Sequence, residues 1–338
     1  MISRYRGELM GAAMLFIILF HVYLPRADMF FGLRRMGNVG VDIFFFLSGL
    51  GLWYSWTKAG SQGVQGVQGV QDKSLSSYIS FYKRRYRRIY PTWFLIACLY
   101  YIPDFVNHGG HSVSLIDMFG DILINWDFWL HDELTFWYIP AQMMLYMVAP
   151  FYMTLILRQP VYRWLPVAMV MWCVMVQWVT PIHDAVGHIE IFWSRVPIFF
   201  LGINMAEAVK RKDTLSAASI WLLLLLFAMS FGSSLFLEQV RHGRFPLFVE
   251  RMLYIPLTIT GILLLCMLLK HLPERINYCL RFVGTISLEI YLIHVHFVLH
   301  YIEPYRLGYW LTTLLCVVIT LPLAWLLHKI MEEKRSKK

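Results

Sequence analysis

Two residues of opposite acid–base character, His21 and Asp42, lie within the first two long apolar segments of the sequence. A short loop joins these segments, so a hairpin would bring the imidazole and the carboxylate to a similar depth. A carboxylate beside an imidazole fixes its tautomer and raises its basicity, which is the orienting half of a general-base pair. The alternative interpretation is a structural hydrogen bond that holds the hairpin together, and the two residues alone leave both open.

A second polar face is predicted in the segment around residue 290. Residues spaced three or four apart share one face of a helix, and His294 on this face reaches the same depth as His21. Glu289 and His296 fall on another face, where we expect them to be structural partners of a neighbouring helix. The polar face consists of Gly284, Ser287, Tyr291 and His294.

Two arginines, Arg195 and Arg251, lie inside apolar segments or at their edges. A guanidinium in this setting can hold an anionic or hydroxyl-rich ligand, or its long stem can let the charge snorkel to the membrane interface. The sequence favours snorkelling for both arginines.

A dense group of basic side chains follows Tyr82 and is named the basic cluster below. Guanidinium groups bind phosphates in bidentate geometry, but the same charge could anchor the chain to anionic lipid. The interleaved Arg and Tyr residues also resemble an RNA-binding patch, and a position next to the membrane argues against nucleic acid. The basic cluster consists of Lys83, Arg84, Arg85, Arg87 and Arg88.

The composition indicates an integral membrane protein with an all-α fold. Hydrophobic residues make up 58% of the 338 positions and charged residues only 15%, against about 25% charged residues in soluble domains. Since about 20 apolar residues cross the hydrocarbon core, we predict about ten spans around a polar cavity, in one transmembrane domain over 1–338. The predicted spans are 9–25, 38–57, 90–106, 133–157, 162–181, 192–208, 216–238, 247–270, 278–300 and 308–330.

The distribution of Lys and Arg predicts that both termini are cytoplasmic. With the N-terminus inside, 21 of the 30 basic residues fall in cytoplasmic segments, as the positive-inside rule requires. A Gly-Val-Gln repeat at 63–71 predicts a flexible cytoplasmic loop, 58–77, and residues 331–338 form a basic tail. The amphipathic stretch 111–131 is predicted to be extramembrane or interfacial. The five cysteines lack metal-ligand spacing, so no metal site is predicted.

Six segments, in order between residue 1 and about residue 330, resemble the acyltransferase-3 family of membrane O-acyltransferases. No single segment is specific, but six in series are difficult to obtain by chance. They are LFIILFH (15–21), GVDIFFFLSG (40–49), YKRRYRRIYP (82–91), FWYIP (136–140), RVPIFFLG (195–202) and GTISLEIYLIH (284–294).

The resemblance implies a reaction, its partners and its location. The donor would be an acyl-CoA, usually acetyl-CoA, used at the cytoplasmic side, with no permanently bound cofactor. The acceptor would be a hydroxyl of a cell-surface glycan or of its lipid-linked precursor, and the protein would lie in the plasma (inner) membrane of a bacterium. His21 matches the family's essential histidine, Asp42 its second-span motif, and the basic cluster its cytoplasmic basic motif. Substrate contacts would come from Ser48, Tyr138, Arg195, Ser287, Tyr291 and His294.

One position departs from the family pattern. The family often has an arginine eleven residues before the histidine, where this chain has Met10. Eleven residues make about three turns, roughly 16 Å, so the two positions share a helix face. Either another cation such as Arg4 or Arg6 serves the donor, or the activity is altered. Direct transfer and an acyl-histidine intermediate both stay open, as do a flippase for a polar lipid-linked sugar and a non-catalytic scaffold.

Overall fold

A computed structural model describes residues 1–61, 75–108, 114–211 and 216–336 of the chain. Every secondary-structure element in these ranges is helical, which confirms the all-α fold class. The α-helices are α1 (Arg6–His21), α2 (Phe31–Met36), α3 (Val39–Ser61), α4 (Leu75–His108), α5 (Leu115–Ile124), α6 (Trp126–Leu130), α7 (Tyr138–Arg158), α8 (Leu165–Trp178), α9 (Thr180–Val186), α10 (Glu190–Trp193), α11 (Val196–Arg211), α12 (Ala217–Val240), α13 (Leu247–His271), α14 (Glu274–Thr285), α15 (Ser287–Ile293), α16 (His300–Ile302) and α17 (Tyr309–Ser336).

Shorter helical turns connect several of these helices. The 3-10 helices cover Pro160–Trp164, Gly187–Ile189 and Glu303–Tyr305, and a π-helix covers His294–Leu299. The repeat at 63–71 lies outside the described residues, as does most of the predicted loop around it. Of the predicted basic tail, the part up to Ser336 continues α17, and the last two residues lie outside the described ranges.

The number of membrane spans differs from the prediction of ten. Among the described residues, 6 helices are long and apolar enough to cross a membrane, or up to 8 if each of two bent pairs is one span. The pairs are Pro160–Trp178 with Thr180–Trp193, bent by 98°, and Glu274–Thr285 with Ser287–Tyr305, bent by 62°. Several transmembrane helices are therefore confirmed, and the total of ten is not.

Two predicted spans correspond to helices that are short for a bilayer. The helices α1 and α11 have 16 residues each, and at 1.5 Å per residue they are about 24 Å long. The hydrocarbon core is about 30 Å thick, so neither helix crosses it alone in a straight line. The apolar runs at 9–25 and 192–208 extend beyond these helices into turns, which the sequence pattern did not reveal.

The chain folds as two compact units, which are described separately. Unit 1 consists of Met1–Leu47 and Met205–Lys338, and unit 2 of Ser48–Asn204. The boundary falls within α3, whose first part belongs to unit 1.

Unit 1 is built on a close packing of α1 against α14. A Cβ atom at Gly11 would overlap the backbone carbonyl of Leu280, and one at Gly284 would overlap that of Gly7. Small residues let transmembrane helices approach until their backbones touch. Beside this contact the buried carboxylate of Glu8 accepts hydrogen bonds from Nε and Nη2 of Arg281, at 3.0 and 2.8 Å. The N-terminal half of α1 is therefore held against α14 by backbone packing and by an ion pair.

Unit 2 holds the basic cluster on the first half of α4. Tyrosines next to the cluster fix this half to α7, since the hydroxyl of Tyr82 donates to the Met147 carbonyl at 2.8 Å and that of Tyr86 to the Met143 carbonyl at 2.9 Å. The predicted amphipathic stretch 111–131 is described from residue 114 on, where it forms α5 and α6, and α5 packs on α4.

Candidate active site

Two histidine side chains from distant parts of unit 1 meet at the end of α1. The Nε2 atom of His294 lies 3.2 Å from Nδ1 of His21, and the ring centroids are 4.9 Å apart at an interplanar angle of 76°. His21 is the last residue of α1, and His294 is the first residue of the π-helix that follows α15. Such π-helical turns occur often at functional sites.

The hydrogen bonds around this pair determine which nitrogen carries each proton. Nδ1 of His294 lies 2.9 Å from the carbonyl oxygens of both Ile290 and Tyr291, and Nδ1 of His21 lies 2.8 Å from the carbonyl oxygen of Ile17. A carbonyl oxygen only accepts, so both Nδ1 atoms must be donors. His21 therefore shares its Nδ1 proton between Ile17 and Nε2 of His294.

The consequence for His21 is an available Nε2 atom. Within the described ranges, both hydrogen bonds of the His21 ring involve Nδ1. A neutral imidazole protonated at Nδ1 has its lone pair on Nε2, the atom that would accept a proton in general-base catalysis. The pair thus sets a tautomer, the task that the sequence assigned to Asp42.

The side chain of Asp42 is fully buried in the first turn of α3. A carboxylate is favoured at this position because the N-terminal end of a helix carries a partial positive charge. The hydrogen-bond partners of the His21 ring in the described residues are Ile17 and His294. An orienting contact from Asp42 to His21 therefore stays a prediction.

The predicted polar face around residue 290 is brought to His21 in part. His294 contacts His21 directly, and the Tyr291 ring lies 6.1 Å from the His294 ring between centroids. Ser287 is buried, and its hydroxyl donates to the Gly284 carbonyl at 2.9 Å. On the other face, Glu289 accepts a hydrogen bond from Nδ1 of His328 on α17 at 2.9 Å, which confirms its predicted structural role.

A separate polar network surrounds the buried carboxylate of Glu238 near the end of α12. Its oxygens accept hydrogen bonds from Nε of Arg35 at 3.1 Å and from the hydroxyl of Tyr254 at 2.9 Å. Nδ1 of His242 lies 3.2 Å from the same carboxylate. Partial burial, and after it the positive charge of Arg35, lowers the pKa of His242 in the turn between α12 and α13.

This network contains the one group of possible metal ligands found among the described residues. One ligand atom each from Glu238, His242 and Glu250 lie within 4.8 Å of one another. Arg35 and Tyr254 already use both oxygens of Glu238, and a guanidinium in contact with a ligand opposes a divalent cation. We therefore interpret the group as a hydrogen-bonded network.

The snorkelling interpretation of Arg195 and Arg251 is wrong. Arg195 is fully buried, donates from Nη1 to the Ile191 carbonyl at 3.1 Å and lies over the Trp137 ring at 4.9 Å. Arg251 is 2% exposed and lies over the Tyr254 ring at 4.8 Å. Interior aromatic faces stabilise both cations, a possibility that apolar sequence context does not disclose.

The basic cluster forms an exposed charged surface on unit 2. Lys83, Arg84, Arg87 and Arg88 are exposed, whereas Arg85 is half-buried and donates to the Ser55 hydroxyl. Two further predicted contacts belong to the same unit: Ser48 is half-buried on α3, and the hydroxyl of Tyr138 donates to Gln142 at 3.0 Å.

Three polar residues of unit 1 were not predicted from the sequence: Arg34, Glu238 and the buried Thr258. Arg34 lies near His21, since its Nη1 donates to the carbonyl of Val22, the next residue, at 3.2 Å. The sequence did contain a signal for Arg34: it lies with Arg35 in a predicted extracytoplasmic loop, where the positive-inside rule leads us to expect few basic residues. Glu238 and Thr258 carried no comparable signal, since Glu238 is a single polar residue near the end of α12 and Thr258 a single hydroxyl in the middle of α13.

Comparison with protein families gives one match. The family model of an acyltransferase domain matches residues 11–329, nearly the whole chain, and so includes both histidines and the basic cluster. Curated proteins and solved structures give no match.

Proposed function

The chain belongs to this acyltransferase family, and from that premise we propose that it moves an acyl group, in the first instance acetyl, from cytoplasmic acyl-CoA to a hydroxyl of a cell-surface glycan or of its lipid-linked precursor. Its apolar helices make it a membrane protein. The proposal locates it in the plasma membrane of a bacterium, with both termini in the cytoplasm. The observation that carries the proposal is the hydrogen bond between His21 and His294, which leaves the Nε2 lone pair of His21 available.

In the proposed reaction His21 is the general base. Its Nε2 takes the proton of the acceptor hydroxyl while the hydroxyl oxygen attacks the thioester carbonyl carbon. The tetrahedral intermediate then expels the coenzyme A sulfur as the carbon–sulfur bond breaks, and Nε2 of His21 returns the proton to that sulfur. The products are an ester on the acceptor and free coenzyme A, so no further reactant is needed.

The second histidine supports the charge that forms in this reaction. When His21 is protonated, its Nδ1–H still donates to the Ile17 carbonyl and to Nε2 of His294. A donor from a cation makes a stronger hydrogen bond than one from a neutral ring, so both contacts strengthen as the proton moves. In the proposal Asp42, buried in α3, adds negative charge to the same unit.

The basic cluster is the proposed site for the nucleotide phosphates of the donor. Four of its five side chains are exposed on α4, and guanidinium groups pair with phosphate oxygens in bidentate geometry. The Tyr82 and Tyr86 contacts to α7 hold this stretch of helix in place. Arg195, Ser48 and Tyr138 stay proposed substrate contacts.

The proposal is tested by a transfer assay with the folded protein in lipid bilayers. Acetyl-CoA labelled in the acetyl group is the donor and a hydroxyl-rich glycan fraction is the acceptor. We expect label to enter the glycan and free coenzyme A thiol to appear in equal amounts. A flippase for a lipid-linked sugar, which would also suit the two bent helix pairs, transfers no label and releases no thiol.

Donor binding is measured separately by thermal unfolding. A ligand at about a hundred times its dissociation constant stabilises the folded state by about 2.7 kcal/mol, so coenzyme A should raise the melting temperature by several degrees. Pantetheine, which lacks the nucleotide phosphates, is the matched control and should stabilise the protein less. Equal effects of both compounds would contradict a phosphate site.

A further inference from the structure

Unit 1 contains a cavity of about 440 Å³ beside the last turns of α1. This volume lies in the range of small-molecule sites, about 300–1,000 Å³. Its walls come from α1, α2, α3, α12, α13 and the start of α17, and the side chains are almost entirely apolar, among them Phe16, Leu19, Phe227 and Leu257. The sequence predicted a polar cavity, whereas this cavity of unit 1 is apolar.

Two polar side chains break the apolar lining. Arg34 contributes the charged group, with Nη1 donating to the Val22 carbonyl at 3.2 Å and a buried Nε that has no hydrogen-bond partner in the described ranges. Thr258 is 1% exposed, and its hydroxyl has no partner there either. An unsatisfied buried donor costs about 1–3 kcal/mol, so both groups favour a ligand with a hydrogen-bond acceptor.

The cavity is joined to the histidine pair through α1. Leu19 and Phe16 lie on the two turns before His21, and Tyr309 at the cavity wall donates from its hydroxyl to the Leu19 carbonyl at 3.0 Å. Arg34 donates to the residue that directly follows His21. The guanidinium of Arg34 therefore lies between the apolar cavity, which it lines, and the residue next to the His21 imidazole.

We propose that this cavity binds the hydrocarbon chain of a lipid-linked acceptor, with the phosphate of that lipid at Arg34 and a sugar hydroxyl at His21. The inference rests on the proposed acyl transfer and specifies its acceptor. A lipid-linked sugar has the sequence chain, phosphate, hydroxyl, which is the order of the three protein features. A long acyl chain of the donor does not fit, because its thioester follows the chain directly and no anion lies between them.

The chain offers a glycine at which the cavity can be filled. A Cβ at Gly261, on the cavity wall in α13, would meet only the Phe227 ring at 3.8 Å, so Gly261→Leu extends into the cavity without a backbone clash. Gly232 in α12 is exposed and has no atom within 4 Å of its Cβ position. Gly232→Leu is the matched control, since both changes add the same side chain to a helix.

The experiment measures binding of a long-chain polyisoprenyl phosphate to the purified full-length protein by native mass spectrometry. We expect Gly261→Leu to weaken this binding by at least about tenfold, which is 1.4 kcal/mol, and Gly232→Leu to leave it unchanged. Arg34→Gln should weaken binding of the phosphate but not of the uncharged polyisoprenol. Coenzyme A binding should be unchanged in the two leucine variants.

Three results would overturn the proposal. The first is wild-type affinity for the polyisoprenyl phosphate in Gly261→Leu. The second is equal competition by phosphatidylglycerol, which would make the cavity a place for ordinary membrane lipid. The third is a loss confined to long-chain acyl-CoA, which would assign the cavity to the donor. Because binding is read without turnover, a failure of acyl transfer itself would be seen separately in the transfer assay.

Discussion

Two imidazoles of unit 1, His21 and His328, have opposite hydrogen-bonding surroundings. His328 lies between two carboxylates, with Nδ1 2.9 Å from Glu289 and Nε2 3.3 Å from Glu332. His21 has a carbonyl oxygen and a neutral imidazole as partners, and both contacts are made by Nδ1. Both rings are held in place by hydrogen bonds. Of the two, the His21 ring is the one that has a nitrogen, Nε2, without a hydrogen-bond partner among the described residues.

In the proposed reaction, this difference means that His21 can be oriented without a carboxylate in contact with its ring. Both ring nitrogens of His328 lie against a carboxylate, so neither is open to a proton from a substrate. A carbonyl oxygen and the lone pair of a second imidazole fix the tautomer while leaving the ring neutral. The same short segment, residues 287–294, provides Glu289 for the first arrangement and His294 for the second.

The sharpest test of this comparison removes each imidazole in turn. We expect His21→Ala to lower acyl transfer by about 10²–10⁴-fold, the contribution of a general base, because Nε2 is lost. His328→Ala should keep nearly full activity per folded molecule. Transfer of labelled acetyl groups, corrected for the folded fraction, gives both values. Comparable losses in the two variants would show that the hydrogen-bonding difference is not functional.

The second prediction concerns His294 as a positioning residue. Replacing it with Ala removes the acceptor of the His21 proton and should lower kcat by about 10²-fold, as misplaced catalytic groups do, while KM stays close to the wild-type value. His294→Gln offers a side-chain oxygen as acceptor and should recover part of the loss. An equal loss in both variants would indicate a packing effect instead.

A smaller effect is expected for the exposed basic cluster. Basic side chains near a charged surface contribute about 1 kcal/mol each. Neutralising Arg84 and Arg87 to Gln should therefore weaken coenzyme A binding by about 2 kcal/mol, roughly thirtyfold, at low ionic strength. The loss should fade as salt is added, because exposed charges are screened. Arg244→Gln with Arg306→Gln removes the same charge from exposed positions of unit 1 and should have no effect. Unchanged affinity in the Arg84 and Arg87 variant would favour a lipid anchor.

The smallest change in activity is expected for Glu289→Gln. This substitution weakens the buried contact to His328 and should reduce the free energy of unfolding by about 1–3 kcal/mol, with activity per folded molecule unchanged. His131→Gln alters the contact of the exposed His131 ring with the Asp127 carboxylate but keeps a side-chain amide that can donate to it, and serves as control. A fall in kcat for Glu289→Gln would place this pair in the reaction after all.

Local patterns predicted the helices well and the site only in part. Apolar runs located most of the helices, and helical spacing correctly separated Glu289 from His294. The contact between His21 and His294 spans 273 positions of sequence, and no local pattern reports so distant a pairing. Depth in the bilayer predicted Asp42 as a partner of His21, but depth does not specify which way a side chain points, so it could not reveal His294 as a partner.

One of the two helix breaks was beyond local patterns. The predicted span 278–300 runs through the bend of 62° between Thr285 and Ser287, whereas the bend of 98° after Trp178 lies near the end of the predicted span 162–181. Tertiary contacts determine such bends. The cavity beside α1 likewise depends on residues from several helices, each of which looks like ordinary apolar sequence.

The glycine contact between α1 and α14 has a consequence for reading mutational data. Gly11 and Gly284 leave no room for any side chain, so a substitution there separates the two helices and moves the far end of α1, where His21 lies. A survey of all substitutions would therefore rank these glycines beside the histidines in loss of activity. The amount of folded protein must therefore be measured for each variant, to distinguish a residue needed for helix packing from one that takes part in the reaction.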